Sequence, residues 1–317
     1  MRQFEREKKT TRDAYGAAVL ELAKKDPMVI GIGADTVNNI GMKAFAQEFP
    51  DRVINCGIAE QDMMDIASGL AANGFKVFGG SFGPFVTMRG LEQYRSFIAY
   101  PHLKVVMTGG MAGLSASNEG VTHQCTEDLA IMCSIPNNVV LAPADIASLT
   151  AMVNEVYEKV NDGPAYIRSG KFGYLHVFDE YEFELGKAKV LEDGKDITLI
   201  CAGTTISRCL QAKDILEEAG ISARVLDCSC IKPLDEEAVI AAAKETGAIV
   251  TVEEATIIGG LGAAVAAVLV ENCPVPMKRC GVPDCFAESG DHDPLMDKYG
   301  LAVDTIVEAA KATIARK

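Results

Sequence analysis

Positive charge is scarce in this chain: 30 Lys and Arg stand against 44 Asp and Glu, a net charge of −14 at pH 7. Nucleic acid and anionic membranes select basic surfaces, so neither is expected as the main partner. A phosphorylated small molecule stays open, because it needs only a few local cations. No apolar run suits a bilayer either. The longest, Ile257 to Val270, has fourteen residues, three of them glycine, against the roughly 20 that a spanning helix needs. The opening MRQFEREKKTTRD is charged and has none of the apolar stretch of a secretory signal. Ten cysteines contain no paired C-x-x-C. Cys228-Ser-Cys230 has no histidine near it, and Cys273, Cys280 and Cys285 are unevenly spaced, so no metal site is expected. Cys56, Cys133 and Cys201 sit beside apolar residues, as cysteine does when it serves as a small hydrophobe in a reducing compartment. Internal repeats and low-complexity segments are absent too. A soluble, cytoplasmic protein is the expectation.

What is present is an alternation. The 317 residues, 49% hydrophobic and 23% charged, have globular composition and enough length for two cores. Helical spacing over Thr11–Ala23 precedes a short apolar run at Met28–Gly33. Strands are then expected at Val53–Ile58 and Lys76–Phe78, with a helix from Gln61 to Asn73 between them. Leu103–Thr108, Asn138–Ala142 and Ala165–Arg168 continue the strands, with a helix at Ser148–Val160. From Ser169 to Asp196 the pattern breaks into a mixed, glycine-interrupted stretch. A second alternation follows: strands at Ile197–Cys201, Ala223–Cys228, Ala248–Val252 and Met277–Cys280, helices at Ser207–Ala219, Asp235–Glu245, Gly262–Glu271 and Thr305–Ala315. Strands separated by helices imply parallel pairing. The expectation is an α/β protein of two doubly wound domains, residues 1–182 and 190–317.

Chemistry concentrates in the first half. The run Asn55-Cys56-Gly57-Ile58-Ala59-Glu60 places one carboxylate at a strand-to-helix junction among apolar neighbours. Burial disfavours the charged form of a carboxyl in such a place, which suits it to hold and pass a proton. A first-turn acid facing a helix dipole is the plainer reading. Next comes Gly79-Gly80-Ser81-Phe82-Gly83-Pro84-Phe85, whose two rings belong either to the core or to a pocket for a flat heterocycle. The loop from Gly109 to Gln124 is sixteen residues long and rich in Gly and Ser, a length usually functional or mobile. It carries Glu119 and His123, and it lies where open α/β sheets bind ligands. Arg12 and Arg168 are each able to fork onto a phosphate, or to lie at the surface. Gly259-Gly260-Leu261-Gly262 misses the dinucleotide pattern at Val265 and reads as close helix packing.

Taken in order, VINCGIAEQDM, GGSFGPF, NEGVTHQ with Asp128 after it, PAYIRSGK, VEEATIIGGLG and FAESG resemble the C-terminal half of transketolase over nearly the whole chain. The resemblance implies a thiamine diphosphate enzyme in which this chain supplies the pyrimidine-binding domain and the C-terminal domain. The family's G-D-G segment with N-N some thirty residues later is absent, so a split enzyme is implied. A companion subunit would hold the diphosphate and Mg2+, homodimerisation would build a heterotetramer, and this chain alone would be inactive. Glu60 matches the glutamate that hydrogen-bonds N1′ of the aminopyrimidine and sets its tautomer. Ile58, Phe82, Phe85 and Met88 match the pyrimidine pocket, Met88 standing where the family commonly has a third aromatic. His123, Glu119, Arg12 and Arg168 match substrate-side residues, the arginines as phosphate binders. Gly109-Gly110-Met111 replaces a histidine that contacts the sugar in transketolases. The implied activity is transfer of a two-carbon ketol unit between sugar phosphates. Alternatives are a subunit of a deoxyxylulose-phosphate synthase-like or 2-oxo acid dehydrogenase-like enzyme, and a degenerate, non-catalytic scaffold.

Overall fold

The apolar runs become two open sheets in the computed structural model, which describes residues 1–317. The first half contributes β1 (Val29–Gly33), β2 (Val53–Asn55), β3 (Lys76–Phe82), β4 (Val105–Gly110), β5 (Val139–Leu141) and β6 (Ala165–Ser169). The second contributes β7 (Lys189–Glu192), β8 (Ile197–Cys201), β9 (Ala223–Asp227), β10 (Cys230–Lys232), β11 (Ile249–Thr256) and β12 (Met277–Val282). The helices are α1 (Thr11–Lys25), α2 (Lys43–Glu48), α3 (Glu60–Ala72), α4 (Leu91–Gln93), α5 (Asp128–Ser134), α6 (Ile146–Lys159), α7 (Thr205–Glu218), α8 (Glu236–Thr246), α9 (Leu261–Asn272), α10 (His292–Met296) and α11 (Val303–Ile314). Strand order is β10-β5-β6-β4-β3-β1-β2 in one sheet and β12-β11-β8-β9-β7 in the other. Pairing is parallel except at β10 and β7, each an antiparallel edge. Every residue of β1, β4, β6 and β8 is buried, as expected where helices cover both faces of a parallel sheet.

Three features depart from the sequence expectation. The strand expected to end at Phe78 runs on to Phe82, because Gly79 and Gly80 are strand residues chosen for closeness. A Cβ on Gly79 would lie 2.4 Å from the Ile32 side chain, and one on Gly80 2.2 Å from the Thr108 carbonyl. The stretch from Ser169 to Asp196, expected to be a plain connection, contains β7 on the edge of the second sheet. Finally, the halves are not separate: β10 comes from the second half yet pairs with β5 of the first sheet. Lys232 secures it by donating to the carbonyls of Cys133 and Ile135, at 2.9 and 2.5 Å. This covers what would otherwise be an open sheet edge. One hydrophobic cluster joins Ile32, Met63 and Tyr94 to Ile249, Leu261 and Val265 across the two halves. The N-terminal segment adds a strap, with Arg2 paired to Asp214 at 2.7 Å and Phe4 packed on the second core.

No helix is long and apolar enough to cross a membrane. All ten cysteines are free.

Candidate functional site

The turn ahead of α3 explains where Glu60 lies. The strand expected to reach Ile58 stops at Asn55, whose Oδ1 accepts from the backbone N–H of Asp35 (2.9 Å) and Gly57 (3.1 Å). Gly57 then takes a φ of +69°, which glycine adopts without a Cβ penalty. The chain reverses and Glu60 enters at the first residue of α3, 2% exposed. Its position does suit the positive end of the helix, but its surroundings do more than that. Oε2 is buried and accepts no hydrogen bond. The nearest cation is Nη1 of Arg89, 3.7 Å away and on a side chain 56% exposed. A buried carboxylate oxygen left bare is costly unless something else is meant to donate to it.

Arg89 links this oxygen to an aromatic ring: its guanidinium also lies over Phe85, 5.0 Å from the ring centroid. Phe82 and Phe85 are 6.0 Å apart, edge to face. The His123 imidazole packs on both, at 5.3 Å from Phe82 and 5.5 Å from Phe85. A flat ring inserted between two others needs about 7 Å, twice the van der Waals spacing of carbon. The trio is therefore too close to admit a further flat ring between its members. Met88 (44% exposed) and Ile58 (77% exposed) lie at the surface.

The loop that carries His123 and Glu119 is tied down. Gly113 and Cys125 close its base with paired backbone bonds of 2.8 and 2.9 Å. The second half of the chain holds the rest: Leu114 N–H donates to Glu254 (2.8 Å), Ser117 to the Gly290 carbonyl (2.8 Å), and Gln124 to the Glu288 carbonyl (3.0 Å). A Cβ on Gly113 would clash with Glu254 at 2.5 Å. Glu254 is thus an anchor that the sequence pattern did not single out. Burial alone would raise its carboxyl, yet His292, Arg168 and Thr204 hold it down at about 2. Since the folded value lies below the ordinary 4.5, its stabilising contribution is complete above about pH 4.5 and is lost as the pH falls toward 2. The gap in melting temperature between the native chain and Glu254→Gln is accordingly expected to close over that interval.

Arg12 and Glu119 meet through Lys171. Arg12 sits at the second residue of α1, set there by a capping box in which Thr10 and Asp13 bond each other's backbone N–H, at 2.9 and 3.2 Å. It gives one bond, Nη2 to the Lys171 carbonyl at 3.2 Å, and its buried Nε has no acceptor. Burial lowers its guanidinium from the ordinary range. The Lys171 ammonium pairs with Glu119. A half-buried cation with a spare donor has the chemistry of an anion receptor.

Arg168 does not join it. The expected phosphate clamp is 8% exposed and its fork is already taken. Nε and Nη2 both bond the Asp128 carboxylate, the first at 2.7 Å, and Nη1 bonds the Glu254 carbonyl at 2.9 Å. The Tyr166 hydroxyl donates to the same Asp128 oxygen as Nε, at 2.7 Å. The Tyr166 hydroxyl also closes position 109 to any side chain, since a Cβ on Gly109 would fall 2.0 Å from its oxygen. The second-half glycines behave as expected, packing close to a neighbour. A Cβ on Gly260 would strike Glu253 at 2.1 Å, and Glu253 itself bonds the N–H groups of Leu261 and Gly262 at the start of α9. Burial raises the Glu253 carboxyl, those two bonds opposing it. Glu7, Asp145 and His176 also converge within 4.8 Å. There Asp145 accepts from Ser148, Val177 and Phe178 N–H, and Glu7 from Ile146 N–H, so the group fastens backbone.

Sequence reasoning gave no role to Arg89 or His292, nor to Tyr166 and Lys171 within PAYIRSGK. Arg89 alone left a signal, four residues past Phe85 and so on the same helical face.

Residues 7–174 match the family model for the transketolase pyrimidine binding domain, and residues 186–306 that for the transketolase C-terminal domain. A 6-deoxy-6-sulfo-D-fructose transketolase subunit of Clostridium sp. (strain MSTE9) is 42% identical over 96% of this chain and 95% of its own length. An apulose-4-phosphate transketolase subunit of Phocaeicola vulgatus is 38% identical over 94% and 96%. Among solved structures, a split gene transketolase described as an inactive beta4 tetramer superposes with a TM-score of 0.90 at 41% identity, over 97% of this chain and 99% of that one.

Proposed function

The chain belongs to the transketolase family, and from that premise we propose that it is the pyrimidine-binding and C-terminal subunit of a two-chain, thiamine diphosphate-dependent enzyme that moves a two-carbon ketol unit between anionic sugars. The observation that carries this reading is the bare Oε2 of Glu60, linked to the Phe85 ring through the Arg89 guanidinium that approaches both. An aminopyrimidine is planar and presents a ring nitrogen able to share a proton, so it answers both groups at once. Glu60 would hold and return that proton at N1′, which sets the tautomer. Phe85 and Phe82 would offer the face on which the ring stacks, with Ile58 and Met88 at the mouth. When bound, the cofactor supplies the nucleophilic thiazolium carbon that carries the ketol unit.

His123 would face the reacting sugar from its perch on the two rings, as donor or acceptor to a hydroxyl. Glu119 would reach a hydroxyl from the same loop, and Arg12 the anionic end. The two relatives are named for substrates bearing a sulfonate or a phosphate, and a receptor of the Arg12 kind suits either. Arg12→Ala is expected to raise KM for a phosphorylated sugar about 10- to 100-fold, the worth of a charge-assisted bond, with little change for an unphosphorylated analogue. Equal effects on both would remove Arg12 from the anion site.

Diphosphate and Mg2+ would sit on a companion chain, with two copies of each subunit forming the active assembly in the cytoplasm. Calorimetric titration tests this directly. Thiamine diphosphate is expected to bind the lone chain at least 100-fold more weakly than the complex, and only the complex should transfer ketol units. Tight binding to the lone chain would overturn the divided site.

A further inference from the structure

One side chain approaches both groups of the proposed pyrimidine site, without hydrogen-bonding the bare Oε2. Arg89 lies 3.7 Å from Glu60 and 5.0 Å from the centroid of Phe85. A guanidinium is flat, delocalised and lined with N–H donors, so it can stack on an aromatic face and donate to a carboxylate together. Those are the two contacts a protonated aminopyrimidine makes.

The backbone holds Arg89 to this task. Residues Phe85 to Arg89 form one wide π turn, closed by the Gly90 N–H on the Phe85 carbonyl at 3.1 Å. Such turns are rare and cluster at functional sites. Gly90 presses on the first turn of α3: a Cβ there would lie 3.0 Å from Met64 and 3.3 Å from the Glu60 carbonyl. The turn therefore fixes Arg89 next to Glu60, while its side chain stays 56% exposed and free to swing outward.

We propose that Arg89 is a cofactor-site residue whose guanidinium keeps the place of the aminopyrimidine on Glu60 and Phe85 until the ring displaces it. The proposal rests on reading those two residues as the pyrimidine site. Displacement reduces the fraction of chains ready to bind, and the apparent dissociation constant rises by the inverse of that fraction. An ion pair of 3.7 Å with an exposed guanidinium, and one cation–π contact, together make the effect modest.

The test is calorimetric titration of the assembled complex with thiamine diphosphate, comparing the native chain with Arg89→Gln and Arg89→Lys. Arg89→Gln is expected to tighten Kd about three- to tenfold, and Arg89→Lys, which keeps the charge but loses the flat fork, by less. An Arg89→Gln complex that binds no tighter than native overturns the proposal. Glu60→Gln separates it from the reading beneath. If Glu60→Gln weakens binding and Arg89→Gln does not strengthen it, the place-keeping role falls alone. If Glu60→Gln leaves Kd untouched, the pyrimidine site itself is misplaced and both fall.

Discussion

Glu60→Ala is expected to lower turnover of the reconstituted complex about a thousandfold, within the usual range for losing a positioned proton-transfer group, and to leave assembly intact. The two halves of that expectation come from one observation. The buried Oε2 makes no hydrogen bond, and Arg89, its ion-pair partner, is more than half exposed. Removing the carboxylate therefore takes little from the fold: a weak ion pair, and a helix-dipole contribution of about 0.5 kcal/mol. What goes, on the proposed reading, is the group that would exchange a proton with the aminopyrimidine. Glu60→Gln sharpens the point, because it keeps shape and volume but cannot exchange a proton in the same way. It should be nearly as slow as the alanine variant. A glutamine variant with near-native turnover would reduce Glu60 to a spacer, and near-native turnover in the alanine variant would take it out of the reaction.

Apolar residues ahead of Glu60 suggest its burial, but they are not the cause of it: Gly57 and Ile58 are exposed, and Glu60 is buried where the chain reverses at Gly57 and Gly90 packs on α3. The alternation of strands and helices was legible, since a parallel sheet covered on both faces needs unbroken apolar runs such as Val29–Gly33 and Ile197–Cys201. Where the determinant is tertiary, the pattern is silent. Cys230–Lys232 is three residues long, and what makes it a strand is the exposed edge of β5, not its composition. Gly79 and Gly80 resemble a turn until Ile32 and Thr108 are placed against them. Glu254 looks like one of an acidic pair before a glycine-rich turn, although it holds the loop of His123 in place from the other half of the chain.

Arg168 is the sharpest case, and its replacement is expected to damage the fold rather than substrate affinity. An arginine at a strand end offers a fork, but nothing local says whether a ligand or a carboxylate forty residues earlier will fill it. Here Asp128 fills it, and both groups are buried. Removing one member of such a pair leaves a desolvated charge unmatched, which costs about 3–5 kcal/mol. Asp128→Asn or Arg168→Ala should then lower the melting temperature by roughly 10 °C, as calorimetry would record. Arg168→Lys should not rescue, because an ammonium cannot span both oxygens of Asp128 and the Glu254 carbonyl. The informative variant replaces the whole network with apolar residues of similar volume: Arg168→Met, Asp128→Leu and Tyr166→Phe together. Buried ion pairs replaced this way often lose no stability, so the melting temperature should recover most of its loss. With the fold restored, KM for a phosphorylated sugar measures what Arg168 does for the substrate. It is expected to stay within about twofold of native, a difference of less than 0.5 kcal/mol. A large rise in KM confined to phosphorylated sugars, in a variant that melts like the native chain, would return Arg168 to the anion site and make its pairing with Asp128 a resting arrangement.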